Sequence, residues 1–206
     1  MKTSICDPAL GIDTEGHIEL DNKPGYANYE PTPYSMLERL FTLFPFTIDS
    51  CFTDFGCGLG RAVFSAAYFG CPKVYGIEVN PEIYGRLTKN QESFTKTTNN
   101  GSEIHILNCD ARQAVITPDM NTFFFFNPFY LKHFIPVLNR IEESFRQNRR
   151  NMRMFLYLPH DAYGSYLSSF SIFSFAGKVY LENDARKDGV YTDIYTLDAL
   201  DVLDTF

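Results

Sequence analysis

The stretch that most restricts this chain is Asp54-Phe55-Gly56-Cys57-Gly58-Leu59-Gly60-Arg61, lying where an apolar run, 50–55, gives way to a helix-like segment. Glycines at alternate positions 56, 58 and 60 let the backbone turn sharply and let a ligand approach the main chain with no Cβ in the way. Two phosphate-binding alternatives are excluded. The dinucleotide fingerprint Gly-x-Gly-x-x-Gly would put its third glycine at position 61, which is arginine. A phosphate loop would need Gly-Lys-Ser/Thr, which does not follow. Asp54, just ahead of the glycines, repels a pyrophosphate and attracts an ammonium group, so the ligand is expected to be cationic at this end.

From about residue 50 to 160, strand-like and helix-like runs alternate, which predicts a parallel sheet with helices on both faces. Strands are expected at 50–55, 73–78, 104–108, 122–126 and 152–158. Helices are expected at 60–69, from the Asn80 cap to about 99–101, and at 131–147. Phe123 to Phe126 is apolar at every position, as a strand covered on both faces must be, and is assigned to the core. A short helical piece near 162–168 precedes two longer runs, 173–181 and 190–197. The polar joint 182–189 makes these two a hairpin, hence an antiparallel edge. Ahead of the alternation, Thr32 is the expected N-cap and Pro33 the first residue of a helix whose apolar face is Met36, Leu37, Leu40, Phe41 and Phe44. The domain is therefore set at 28–206, with 1–27 as a polar lead segment.

With 206 residues, 45% of them apolar, the chain can close one sizeable core. A net charge of -7 offers no overall field for a phosphate backbone, so a protein or small-molecule partner is favoured over nucleic acid. No run approaches the roughly 18 apolar residues of a membrane span, and the opening MKTSICDPALG has no signal-peptide core, so a cytoplasmic protein is expected. Five cysteines without a Cys-x-x-Cys pair suggest neither a zinc site nor a disulfide framework, and no metal is expected.

Two further acids follow later strands. Glu78 closes the second strand 20 residues after Gly58, the distance at which an acid chelates ribose hydroxyls in nucleotide-binding α/β folds, and Asp110 follows the third. Three acids after three successive strands form one wall at the carboxyl edge of the sheet, where such folds bind their ligands.

Together with Asn127-Pro128-Phe129 after the fourth strand, these residues resemble the class I S-adenosylmethionine-dependent methyltransferases over roughly residues 28 to 197. The resemblance implies a Rossmann-like, doubly wound, mostly parallel seven-stranded sheet with an antiparallel edge hairpin. It implies S-adenosyl-L-methionine as cofactor, with Asp54 and the backbone of Gly56, Gly58 and Gly60 at the methionine end and Glu78 on the ribose hydroxyls. Asp110 would accept from the adenine amino group, while apolar side chains, Val79 and Ala111 among them, sandwich the ring. Asn127 would sit beside the methyl, with Phe129 against the acceptor. Residues 29–34 resemble a lid, with Thr32 or Tyr34 reaching the cofactor. Family members acting on amino groups often carry Asn/Asp-Pro-Pro-Phe/Tyr here, and this chain lacks one proline.

A methyltransferase acting on an amino nitrogen of a protein or small molecule is therefore expected. A silent cofactor-binding module and a nicotinamide-dependent oxidoreductase are the alternatives. His133 and His160 are the nearest base candidates by topology. The cations Arg140, Arg146, Arg149, Arg150 and Arg153 fall at the opposite edge of the sheet, and the hairpin tip 182–189 at the cofactor edge.

Overall fold

The computed structural model describes residues 5–18, 28–181 and 189–200. Its strands are β1 (Cys51–Phe55), β2 (Lys73–Glu78), β3 (Glu103–Asn108), β4 (Thr122–Phe125), β5 (Met152–Tyr157), β6 (Ser174–Leu181) and β7 (Val190–Leu197). Its helices are α1 (Asp7–Leu10), α2 (Tyr34–Leu43), α3 (Arg61–Tyr68), α4 (Pro81–Thr98), α5 (Leu131–Gln147) and α6 (Asp161–Phe170), with a 3-10 turn at Ala111–Gln113. The seven strands form one sheet in the order β3-β2-β1-β4-β5-β7-β6. β1 to β5 run parallel, whereas β7 pairs antiparallel with both β5 and β6. The strand order reverses between β1 and β4, which opens a crevice at their carboxyl ends. The expected architecture, including its antiparallel edge, is the observed one.

Each face of the sheet carries its own apolar layer. On β4, Phe124 joins the layer beneath α2, α3 and α4, while Phe123 and Phe125 join the one beneath α5 and α6. This period of two, apolar on both sides, is why the strand reads as one unbroken aromatic run.

Three local differences have simple causes. Helix α2 begins at Tyr34 and not at Pro33, because Pro33 has an extended ψ of 136° and no side chain, Thr32 included, caps the helix. Helix α3 starts at Arg61, because Gly60 precedes it with φ 90° in the left-handed region. The short helix α1 and the 3-10 turn have too few residues to show a periodicity.

The larger difference concerns the lead segment. Its described part, 5–18, is not set apart from the domain expected to start at 28: Leu10 and Ile12 are buried in the same layer as α2, α3 and α4. The segment reads as polar because Asp7 and Thr14 are polar, yet both are buried. The hairpin tip expected at the cofactor edge falls at 182–188, outside the described residues. Among the described residues, no helix is long and apolar enough to cross a membrane.

If the lead segment is part of the core, Leu10→Ala should lower the unfolding free energy in urea by about 2–5 kcal/mol, as for other fully buried leucines. A loss under about 0.5 kcal/mol, the size of an ordinary surface change, would show that the segment packs loosely.

Candidate functional site

The turn after β1 is held to the neighbouring strand by its own backbone. The N–H groups of Gly56 and Cys57 both donate to the carbonyl of Ile77, at 2.9 and 3.0 Å. Gly58 has φ 55°, and a Cβ there would lie 2.3 Å from a ring carbon of Tyr29. A Cβ on Gly56, φ 77°, would lie 2.4 Å from the Cβ of Pro128. Both positions therefore require glycine for conformation and for space. Gly60 serves packing instead, since its vacant Cβ position faces Phe64 and Leu87; it lets α3 and α4 approach closely and does not line the crevice.

The crevice is a partly open pocket at the carboxyl ends of β1, β2 and β4. Asp54, Gly56, Gly58, Glu78 and Thr32 line it. Asp54 is only 4% exposed, and burial, followed by the nearby Glu78 carboxylate, pushes its carboxyl up to about 8. Glu78 is aimed by two backbone donors, with Oε2 accepting from Gly58 N–H at 3.0 Å and Oε1 from Asn80 N–H at 2.7 Å. Asn80 in turn caps α4 through the N–H groups of Glu82 and Ile83, so the carboxylate and the helix start are one rigid unit.

Other expected site residues are placed elsewhere. Asp110 is not in the lining; its carboxylate is gripped by the Nε and Nη2 of Arg112 and accepts from the Arg112 N–H, capping its own 3-10 turn. Its neighbours Cys109 and Ala111 do line the crevice, as does Val79. Asn127 sits in the left-handed region with φ 39°, and its carboxamide is spent inside the fold: Nδ2 donates to the carbonyl of Leu158, and Oδ1 accepts from His160 N–H at 3.0 Å. It joins the turns after β4 and β5, while its neighbours Phe126, Pro128 and Phe129 form the wall. Phe129 is 4% exposed, and its carbonyl accepts from the Tyr163 hydroxyl. Tyr34 turns away from the crevice, donating to Asp7 and stacking its ring on Arg61. Burial and that carboxylate push its hydroxyl well up, so it remains a donor. Neither His133 nor His160 lines the crevice.

Two lining residues carry no ligand role in the sequence pattern: Phe126 stands in the run assigned to the core, and Arg61 ends the glycine stretch. Phe126 is only half-buried, because β4 ends at Phe125 and the next side chain already faces the crevice. The second is Arg61, in the lining although only 7% exposed. Its Nε donates to Thr14 Oγ1 at 2.7 Å and its Nη2 to Glu15 Oε1 at 2.5 Å, with Asp7 at 3.7 Å. The sequence signal for it is its place as the first helical residue after the glycines, on the buried side of α3. Tyr29 completes the cover: it donates to the carbonyl of Thr14 at 2.6 Å and lays its ring over Gly58.

No protein-family model matches the sequence, and no curated protein does. Solved structures do match. An RNA methyltransferase from Salinibacter ruber, in complex with S-adenosyl-L-homocysteine, aligns with TM-score 0.59 at 18% identity over 82% of this chain and 94% of its own. A precorrin-6y C5,15-methyltransferase from Geobacter metallireducens aligns with TM-score 0.61 at 13% identity over 86% and 95%. The N-methyltransferase NodS from Bradyrhizobium japonicum aligns with TM-score 0.54 at 14% identity over 79% and 92%. The chain thus has the fold of the class I S-adenosylmethionine-dependent methyltransferases.

Because Asp54 holds its proton more tightly in the folded than in the unfolded chain, the folded state binds the extra proton between the ordinary aspartate range and about pH 8. Stability should fall as pH rises through that window and level off above it. Urea unfolding at about pH 5 and about pH 8.5 should show Asp54→Asn losing less stability than the parent over this span. Equal losses would mean that Asp54 is solvated and not in the crevice wall.

Proposed function

We propose that the protein is an S-adenosylmethionine-dependent methyltransferase. The observation that carries the reading is the charge layout of the crevice. A buried carboxylate, Asp54, and a buried guanidinium, Arg61, line it together, and a second carboxylate, Glu78, is aimed into it by two backbone N–H groups. An amino-acid zwitterion linked to a ribose diol satisfies all three groups. Arg61 stands where a dinucleotide-binding turn needs its third glycine, which argues against the oxidoreductase alternative.

The residues present fit this cofactor. Asp54 would take the ammonium group, Glu78 would accept from the two ribose hydroxyls, and Val79 and Ala111 would flank the adenine. Asp110 is tied to Arg112, so adenine would be held by apolar packing with the backbone near Cys109 and Ala111. When bound, S-adenosylmethionine supplies a methyl group on a sulfonium, an electrophile strong enough to need no activation by the protein. What the chain must do is orient the acceptor and exclude water. Phe126, Pro128 and Phe129 on one side and residues 28–32 on the other give that enclosure.

The acceptor proposed is an amino nitrogen of a protein or small molecule, drawn in by a net charge of -7 and by Glu30 in the lining. Asn127 would act by holding the turn that carries Phe126 and Phe129, and the proton released after transfer would leave to solvent through the open side. A second reading, a module that binds the cofactor without turnover, draws on one observation: the Asn127 carboxamide and the Phe129 carbonyl are both consumed by internal hydrogen bonds.

Calorimetry with S-adenosylhomocysteine should show binding, and Glu78→Ala should weaken it by about 1–3 kcal/mol, the loss expected for hydrogen bonds to a charged group. Affinity for oxidised nicotinamide dinucleotide with none for S-adenosylhomocysteine would overturn the assignment. Incubation with methyl-labelled cofactor and fractionated cell extract separates the two readings: label in a fraction supports the enzyme, and tight cofactor binding without any transfer supports the module.

A further inference from the structure

Asp7 lies in the lead segment, 47 residues before the first glycine-turn acid, and contributes nothing to the crevice lining. It is nevertheless only 7% exposed and is the hub of a polar cluster. Its Oδ2 accepts from Thr14 N–H at 2.5 Å, and its Oδ1 accepts from the Thr14 hydroxyl at 2.6 Å and from the Tyr34 hydroxyl. Arg61 approaches the same oxygen at 3.7 Å, while Thr14 passes on the constraint by accepting from Arg61 Nε at 2.7 Å. The Tyr34 ring lies 4.4 Å from the guanidinium carbon. The guanidinium is thus held on one face by the ring and along two sides by the lead segment.

Its remaining side faces the crevice. Among the described residues, Nη1 has one contact, the carbonyl of Thr32 at 3.5 Å, near the limit of a hydrogen bond. A guanidinium carries five N–H donors in a fixed fork suited to a carboxylate. We propose that Asp7 is a positioning residue for the amino-acid end of the cofactor: through Thr14 and Tyr34 it sets Arg61 so that the free part of the fork receives the cofactor's α-carboxylate. This rests on the methyltransferase reading above and makes the lead segment a working part of the ligand site.

The arrangement explains why the polar residues Asp7 and Thr14 are buried beside α3, and why an arginine stands directly after the third glycine of the turn. Asp54 and Arg61 then divide the zwitterion between them, one charge each. A lysine at position 61 would keep the charge but lose the fork that Asp7 orients.

The test compares two ligands that share nucleoside and thioether, S-adenosylhomocysteine and 5′-methylthioadenosine, the second lacking the amino-acid end. By calorimetry, Asp7→Asn and Arg61→Gln should each weaken S-adenosylhomocysteine binding by roughly tenfold or more, the effect of a misplaced charged hydrogen bond. Binding of 5′-methylthioadenosine should stay within about twofold, which also reports that the variants are folded. The double variant should lose little more than Arg61→Gln alone, since the two residues act in series. Should Asp7→Asn fail to fold, Tyr34→Phe removes one partner of the same carboxylate and should show the same ligand selectivity. Equal losses for both ligands, or no loss for either, would overturn the proposal and leave Asp7 a structural residue. A parent protein that binds neither ligand would instead overturn the methyltransferase reading itself.

Discussion

The site depends on the carbonyl of Ile77 receiving two N–H groups, those of Gly56 and Cys57, from the neighbouring strand's turn. That shared acceptor ties the end of β1 to the end of β2 and leaves the next N–H, that of Gly58, pointing at the Glu78 carboxylate. The turn can close this way only with left-handed backbone at 56 and 58, and only if Pro128 and Tyr29 meet hydrogen where other residues carry a side chain. Strand end, turn, acid and cover are thus mutually constrained. Asp54, buried just ahead of the turn, is the electrostatic consequence: it faces the crevice with little solvent to support its charge.

Most of the fold was legible because it rests on periodicities that the chain states locally. The strand at Lys73–Glu78, the helix at Leu131–Gln147 and the strand at Val190–Leu197 stand where alternation, capping and the polar joint put them. The glycine turn, Asp54 and Glu78 were legible for the same reason, since their spacing along the chain is itself the geometry. Residues whose roles depend on the direction of a side chain were not. Asp110 and Asn127 occupy expected places at the sheet edge, yet the side chain of each is engaged by local backbone and side-chain groups. A partner two residues away, such as Arg112, competes for a carboxylate at no loop-closure cost, and a sequence pattern does not show who wins that competition.

The lead segment teaches a related lesson. Read by composition it is polar and separable, but two of its polar residues, Asp7 and Thr14, are buried against Arg61. A buried guanidinium is costly unless its donors are paired, and Asp7, Thr14 and Glu15 supply those partners from a distant stretch of chain. The apolar contribution of Leu10 and Ile12 then fastens the segment to α3 and α4. Domain boundaries drawn where composition shifts miss this kind of attachment, because it is made by a few long-range polar contacts and the buried side chains of Ile5, Leu10 and Ile12.

The most direct measurement is a crystal structure of the protein grown with S-adenosylhomocysteine. The account predicts the ribose hydroxyls on Glu78, the ammonium group facing Asp54 and the carboxylate on the Arg61 fork, with the sulfur turned toward Phe126 and Phe129. A thioether nucleoside bound elsewhere, or a crevice closed by Tyr29 and Pro128 with no ligand in it, would contradict the account.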